Sequence, residues 1–341
     1  MTVQELHDIL WHGIRSGELQ GRLPSSAEMK RRYGTGHNTV HLAIDRLKMQ
    51  GLVYGRQGKG VYVNRQTADN SGQGTVMVYF GQVSGINIPL YSRMLGLIKT
   101  ELDRTGSRME FVSSLTGDLQ KYCAALVFGA NLMPGSELMT LKYAMSGRIV
   151  LINHKIRGLV SVSNDNVCGG RLAMERLYQA GHRHIAVVTR YLDMERNFFH
   201  ERFQGVTDFA AEHKDLTIHE FRIPSDSRSR DRICAEIAEK IISGHPEITG
   251  LFAFTDWYAF QLLQVLKQAG RTISVVGYDN SEFASLLDPP LTSVEEDVDG
   301  LSREAAHALN GLIGSGRAVS RMVEPRLIQR ESVFDIRHQI K

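Results

Sequence analysis

No run of about eighteen apolar residues occurs anywhere in this 341-residue sequence, so no stretch of it reads as a helix that crosses a bilayer. Met1 to Trp11 carries Glu5 and Asp8 and lacks a cationic start before an apolar run, so it does not read as a secretory signal, and a cytoplasmic location is expected. Cysteine is scarce. Cys123, Cys168 and Cys234 lie far apart with no C-x-x-C or Cys/His ligand spacing, which excludes a disulfide framework and a cysteine-built metal centre and leaves them as small buried hydrophobes. Also missing are G-x-x-x-x-G-K-S/T, a G-x-G-x-x-G following a strand, G-x-S-x-G and H-E-x-x-H, so phosphate-loop, dinucleotide, esterase-type and zinc-protease chemistry have no support. His182-x-His184 offers two imidazoles but no third ligand near it in sequence, and turn packing is the reading preferred. No catalytic residue, no metal and no cofactor is expected, and therefore no enzyme.

What is present is long enough for two or three domains. Hydrophobic residues at 42% and charged residues at 23% are ordinary for globular proteins, but the charge is unevenly placed. Residues 1–64 hold nine Lys/Arg against five Asp/Glu, a balance of +4, which leaves −1 for the remainder of a chain whose net charge is +3. A polyanionic partner for the front segment is the natural implication.

Within that segment Leu6, Ile9, Leu10 and Ile14 recur at helical spacing from Val3 toward Gly17. Ser25 followed by Glu28 is a capping-box pattern that opens a second helix, with Met29 inward and Lys30, Arg31 and Arg32 outward. After Thr35-Gly36-His37-Asn38 the spacing of Val40, Ala43, Ile44 and Leu47 predicts a third helix over Thr39 to Gln50. Leu52-Val53-Tyr54 and Gly60-Val61-Tyr62-Val63 read as short strands joined by the basic, glycine-rich tip Gly55-Arg56-Gln57-Gly58-Lys59. This is a winged helix-turn-helix: the third helix fits a major groove while a thin cationic hairpin reaches the neighbouring phosphates.

Residues 65–74 are polar, small and without apolar period, a flexible linker. From Thr75 strands alternate with helices. Candidate strands are Val76–Phe80, Met109–Val112, Ala125–Phe128, Ile149–Ile152, Leu159–Val162, Ile185–Thr189, Ile218–Ile223, Gly250–Ala253 and Ser274–Gly277, which predicts an α/β fold with parallel sheets flanked by helices. About a dozen residues separate the second strand from the third, too few for a helix and its loops. A segment of this length exceeds one doubly wound unit, so residues 75–341 are expected to form two lobes, 75–160 with 291–320 and 161–290 with 321–335.

The front segment resembles the GntR family of bacterial regulators through Leu23-Pro24-Ser25, Thr39-Val40, Ala43, Leu47, Gly51-Leu52-Val53 and Gly58-Lys59-Gly60-Val61-Tyr62-Val63. The rest is similar to the LacI/GalR sensor, related to periplasmic sugar-binding proteins. It carries Val162-Ser163-Asn164-Asp165-Asn166 with Gly169-Gly170, then Gly181-His182-Arg183-His184-Ile185 and Arg202-Phe203-Gln204-Gly205. Thr255-Asp256, Val275-Val276-Gly277-Tyr278-Asp279-Asn280 and Pro289-Pro290-Leu291-Thr292-Ser293-Val294 follow in the same order. The combination resembles the arabinose-repressor architecture.

These resemblances imply roles. Ser25, Arg31, Gly36, His37, Asn38, Thr39, Arg46, Arg56, Gln57 and Lys59 would lie nearest a double-stranded DNA operator. Gly36-His37 stands where the family usually has Ser-Arg, so the operator sequence does not transfer. Tyr91, Asn153, Arg202, Thr255, Trp257 and Asp279 would meet a small polar effector, a carbohydrate by their chemistry, since Asp279 can accept hydroxyl hydrogen bonds, Arg202 can donate a fork of them and an aromatic ring can stack on a sugar face. Asp165 and Asp256 read equally well as helix caps. The expectation is a homodimeric repressor released from DNA by its ligand; the alternative is a cytoplasmic small-molecule-binding module that does not act on DNA.

Overall fold

The computed structural model describes the chain except residues 16–17, 50–51, 57, 64–73, 82–87, 131–132, 191–196, 225–229 and 338–341. Residues 65–73 of the linker and Gln57 therefore lie outside the described residues.

Helix α1 (Val3–Arg15) turns Leu6, Leu10 and Ile14, four residues apart, into one buried stripe. Helix α2 (Ser26–Tyr33) begins with the expected capping box: the Ser25 hydroxyl accepts the Glu28 N–H, and the Glu28 carboxylate accepts the Ser25 N–H at 2.6 Å. It ends at Gly34, whose φ of 60° is the left-handed turn that glycine adopts without strain. Helix α3 (His37–Met49) starts two residues ahead of the expected Thr39, so His37 and Asn38 belong to its first turn. Strands β1 (Val53–Arg56) and β2 (Gly60–Val63) pair antiparallel, with Tyr54 opposite Tyr62. The Leu23 N–H donates to the Val61 carbonyl and the Val63 N–H to the Gly21 carbonyl, so residues 21–23 hold the wing against a shared core of Leu10, Met29, Val40, Leu47 and Val53.

Beyond the linker, β3 (Thr75–Phe80), α4 (Ile88–Arg104), β4 (Arg108–Val112), β5 (Ala124–Phe128), α5 (Gly135–Ala144), β6 (Ile149–Ile152) and β7 (Val160–Asn164) build the first lobe. Between β4 and β5 there is only the single turn Leu119–Lys121, as the spacing required. The second lobe continues with α6 (Asn166–Gln179), β8 (His184–Arg190), α7 (Phe198–Glu212), β9 (Thr217–Ile223), α8 (Arg230–Gly244), β10 (Gly250–Ala253), α9 (Asp256–Gln268), β11 (Ser274–Tyr278) and β12 (Thr292–Glu295). Helix α10 (Val298–Gly314), β13 (Arg321–Val323) and β14 (Arg326–Ile328) complete the chain. The two sheets run β13-β7-β6-β5-β3-β4 and β14-β12-β11-β10-β8-β9. Apart from the antiparallel edge pair β12–β14, the sheet of the second lobe is parallel, and its central strands β10 and β11 are buried throughout.

The chain divides into two compact units, Met1–Ser163 with Val298–Arg321 and Asn164–Asp297 with Met322–Lys341. The crossing expected at residue 291 falls after Asp297, because β12 pairs with β11 and β14 and so stays with the second lobe. In that lobe β8 has β9 on one side and β10 on the other, so the order reverses there. The crevice beyond the carboxyl ends of the strands at such a reversal is where open α/β sheets take ligands.

Candidate functional site

The winged helix presents a coherent polar face. His37 and Asn38 are exposed in the first turn of α3, Thr39 is half-buried, and Val40 is core. His41 and Leu42 continue the exposed face, Leu42 at 53% exposure. Helical spacing puts 38, 41, 42 and 45 on one side, so His41 and Leu42 share the exposed face of Asn38. On the wing, the Arg56 guanidinium lies 5.0 Å from the Tyr62 ring centroid and 5.5 Å from that of Tyr54, and donates to the Tyr54 hydroxyl at 3.2 Å. The two stacked rings thus hold the cation extended at the hairpin end. Lys59 is exposed in the turn, and Arg22, not anticipated from sequence, runs beside Gly60, where a Cβ would come within 2.9 Å of its Nε. Arg31 and Gly36 are exposed as well. Two residues stand apart. Arg46 donates to Gln4 Oε1 at 2.9 Å and so ties α3 to α1, and the Ser25 hydroxyl is engaged in its capping box.

In the second lobe the chemistry centres on Arg202 in α7. Its side chain is 3% exposed, yet every edge of the guanidinium is used: Nε donates to Asn166 Oδ1 at 2.9 Å, Nη1 to the Phe254 carbonyl at 2.7 Å and Nη2 to Glu296 Oε1 at 3.1 Å. Asp279 Oδ1 stands 3.8 Å from Nη1, and the Tyr278 ring lies flat beneath, 3.4 Å from its centroid to Cζ. The Tyr278 hydroxyl receives a hydrogen bond from Asn164 Nδ2 at 2.7 Å and its ionisation is pushed up by burial. A buried cation satisfied by carboxylates, an amide and a carbonyl is a stable way to keep charge out of water.

Three glycines let these parts meet. A Cβ on Gly170 would come within 2.1 Å of the Arg202 carbonyl, one on Gly205 within 2.0 Å of the Val167 carbonyl, and one on Gly169 within 2.4 Å of the Tyr278 hydroxyl. The Gly169-Gly170 and Arg202…Gly205 motifs are therefore one feature: α6 and α7 approach backbone to backbone, which fixes where Arg202 points.

Asp279 follows the end of β11 with a φ of 104° and Asn280 with a φ of 45°, conformations that ordinary residues hold only when their surroundings compel it. Here the Asn280 N–H donates to Ser293 Oγ at 3.0 Å, its Nδ2 to Glu295 Oε1 at 2.8 Å, and Arg330 Nη2 donates to its Oδ1 at 2.6 Å. Burial, and then the negative charges of Asp256 and Glu296, raise the Asp279 carboxyl well above the usual carboxylate range against the pull of Arg202. Thr255 follows β10, and its hydroxyl accepts the Tyr258 N–H as the cap of α9. Asp256 is no cap: it is buried, accepts from the Ser293 hydroxyl and the Ser281 N–H at 2.6 Å each, and burial pushes its carboxyl up to about 6. Asp165 does cap, accepting the Cys168 N–H at 2.9 Å. Trp257 is 46% exposed with Phe260 and Phe283 as ring neighbours at 5.7 and 6.4 Å, an accessible aromatic platform.

Arg202, Thr255, Trp257 and Asp279 are thus gathered in the second lobe, and the sequence reading missed Glu296 and the part played by Asn166. Tyr91 and Asn153 lie in the first lobe. Tyr91 sets its ring edge-on to Phe80 and Phe128, and Asn153 follows β6 with a φ of 53°.

Residues 2–63 match the model described as "Bacterial regulatory proteins, gntR family", and residues 174–333 match the "Periplasmic binding protein-like domain". Among curated proteins the chain is 33% identical over 177 residues to the HTH-type transcriptional regulator CelR of Thermobifida fusca, covering 50% of this chain and 51% of that protein. The chain thus spans about half the length of the first curated relatives it matches. With the arabinose metabolism transcriptional repressor of Geobacillus stearothermophilus it shares 23% identity over 349 residues, 95% of each. Among solved structures, a transcriptional regulator CelR–cellobiose complex superimposes with a TM-score of 0.63 at 20% identity, covering 91% of this chain and all of that one. At that identity the match speaks for the fold. Among the described residues no helix is long and apolar enough to cross a membrane.

Proposed function

We propose that this chain, which joins a gntR-family DNA-binding domain to a periplasmic binding protein-like domain, is a cytoplasmic transcription repressor whose hold on DNA is set by a small polar ligand, a sugar by its chemistry. The observation that carries the reading is the presence in one chain of a cationic winged helix and a buried arginine cluster at the carboxyl ends of parallel strands. Arg56, Lys59 and Arg22 supply the charge that meets phosphates, and the exposed turn of α3 from His37 to Leu42 supplies the groups that meet base edges.

For the ligand, Asp279 and Thr255 offer oxygen acceptors and a hydroxyl, Arg202 holds Asp279 in place, and Trp257 offers a ring face of the kind that stacks on a sugar. In the first lobe the candidates are Tyr91 and Asn153. Two chains reading a two-fold related operator would give the affinity that one small domain does not reach alone, and a ligand releases DNA to the extent that it prefers the non-binding arrangement. A binding role accounts for every residue in the cluster: the Ser293 hydroxyl is spent on Asp256 and the Thr255 hydroxyl on capping its helix.

The test is a thermal-shift panel of pentoses, hexoses, cellobiose, sugar phosphates, polyols and uronic acids. Ligand at a hundred times its dissociation constant adds about 2.7 kcal/mol of stability by mass action. At least one sugar is expected to raise the melting temperature of the native chain and to leave folded Asp279→Ala and Trp257→Ala unmoved. No response to any member of the panel would overturn the sugar assignment.

A further inference from the structure

At the opposite, amino-terminal edge of the second lobe's sheet lies a cluster that the proposed repressor function does not use. His184 opens β8 and His219 is the third residue of the adjacent β9; the register sets His184 beside Thr217 and Ala186 beside His219, so the two imidazoles occupy the same face one step apart. His184 Nδ1 and His219 Nε2 are 3.3 Å apart. The Thr249 N–H donates to the His184 carbonyl, which draws the segment between α8 and β10 alongside and places Glu247 Oε1 3.8 Å from His219 Nε2. We propose that His184, His219 and Glu247 form a binding site for one divalent transition-metal ion of the zinc type.

The geometry suits such an ion. One donor atom from each of the three residues lies within 4.8 Å of the others, and tetrahedral zinc with bonds of about 2.1 Å sets its ligands about 3.4 Å apart, so only small side-chain adjustments are needed. His245 completes the arrangement from the end of α8. Its Nδ1 is 3.1 Å from Glu247 Oε1 and its ring 5.0 Å from that of His219, so it orients the carboxylate as outer-sphere partners of metal ligands do. The Phe221 ring, 5.9 Å from that of His245, walls one side. Two imidazoles and a carboxylate select zinc, cobalt, nickel or copper over magnesium or calcium, and leave a fourth position to water. In sequence, His182-x-His184 has no third ligand near it; β9 and the turn before β10 supply the rest, and His182 itself faces elsewhere, toward Thr249 and Phe334.

The experiment uses the full chain stripped with chelator and then dialysed to equilibrium against Zn2+, with Co2+ as a spectroscopic probe. One Zn2+ per chain, a rise in melting temperature and the intense visible absorption of low-symmetry Co2+ are expected. His219→Ala and Glu247→Gln should abolish all three, and His245→Ala should weaken affinity by about 10–100-fold. His307→Ala, on an exposed position of α10, which belongs to the other compact unit, should change nothing. Should His219→Ala fail to fold, Glu247→Gln decides, since the Glu247 side chain is 37% exposed. Absence of saturable Zn2+ binding by the native chain, or unchanged stoichiometry and affinity in Glu247→Gln, would overturn the assignment.

Discussion

Arg202 shows how a residue can be legible while its purpose is not. The Arg-x-x-Gly pattern and the Tyr278-Asp279 pair mark a binding position, but Glu296 reaches Arg202 across 94 residues of sequence, and nothing local in Glu295-Glu296-Asp297 tells which carboxylate turns inward. Truncating a buried cation strands its partners, so Arg202→Ala should cost about 3–5 kcal/mol in urea unfolding, and a loss below about 1 kcal/mol would contradict the buried network. Asp256 supplies a pH test. Its carboxyl is pushed up to about 6 in the folded chain from the 3.8 usual for aspartate, so its contribution to stability is fully present below the lower value and is lost as pH rises through the upper one. Asp256→Asn removes that titration. The stability of the native chain relative to the variant should therefore fall by about 3 kcal/mol between about pH 4 and pH 7, as urea denaturation at several pH values would show; a constant difference would exclude it.

Most elements were legible because their hydrophobic periods are strong, and the short β4–β5 connection followed from counting residues. The errors are instructive. Helix α3 begins at His37 because the first turn of a helix needs no apolar residue, so the apolar spacing that starts at Val40 gives no sign of it. Tight glycine contacts were visible as motifs, but their common cause, the backbone approach of α6 and α7, is a tertiary fact. Gly205→Ala should force those helices apart at a cost of about 1–3 kcal/mol and weaken ligand binding by displacing Arg202, seen as a lower melting temperature with a smaller sugar-induced shift. On the wing, Arg56→Ala with Lys59→Ala should lower DNA affinity and reduce the log–log salt slope by about 2, one phosphate contact each. Arg46→Ala should leave the slope nearly unchanged, because that side chain is spent on Gln4.

For the whole molecule, sequence order announced a DNA reader followed by a two-lobed α/β sensor, and the family matches at residues 2–63 and 174–333 agree with it. The points at which the chain passes between lobes were less legible, because β12, Thr-Ser-Val-Glu, has no apolar pattern that assigns it to either sheet and only its pairing with β11 and β14 decides. Coupling between ligand and DNA is the central claim, and it is tested most directly by fluorescence anisotropy of the full chain on a duplex selected from a random-sequence pool. Binding is titrated with and without the sugar that raises the melting temperature. The expected result is binding to the selected duplex far tighter than to a scrambled one, weakened by the sugar in the native chain and insensitive to it in Asp279→Ala. Equal affinity for selected and scrambled duplexes, or a sugar that stabilises the chain yet leaves DNA affinity unchanged, would contradict a ligand-controlled repressor.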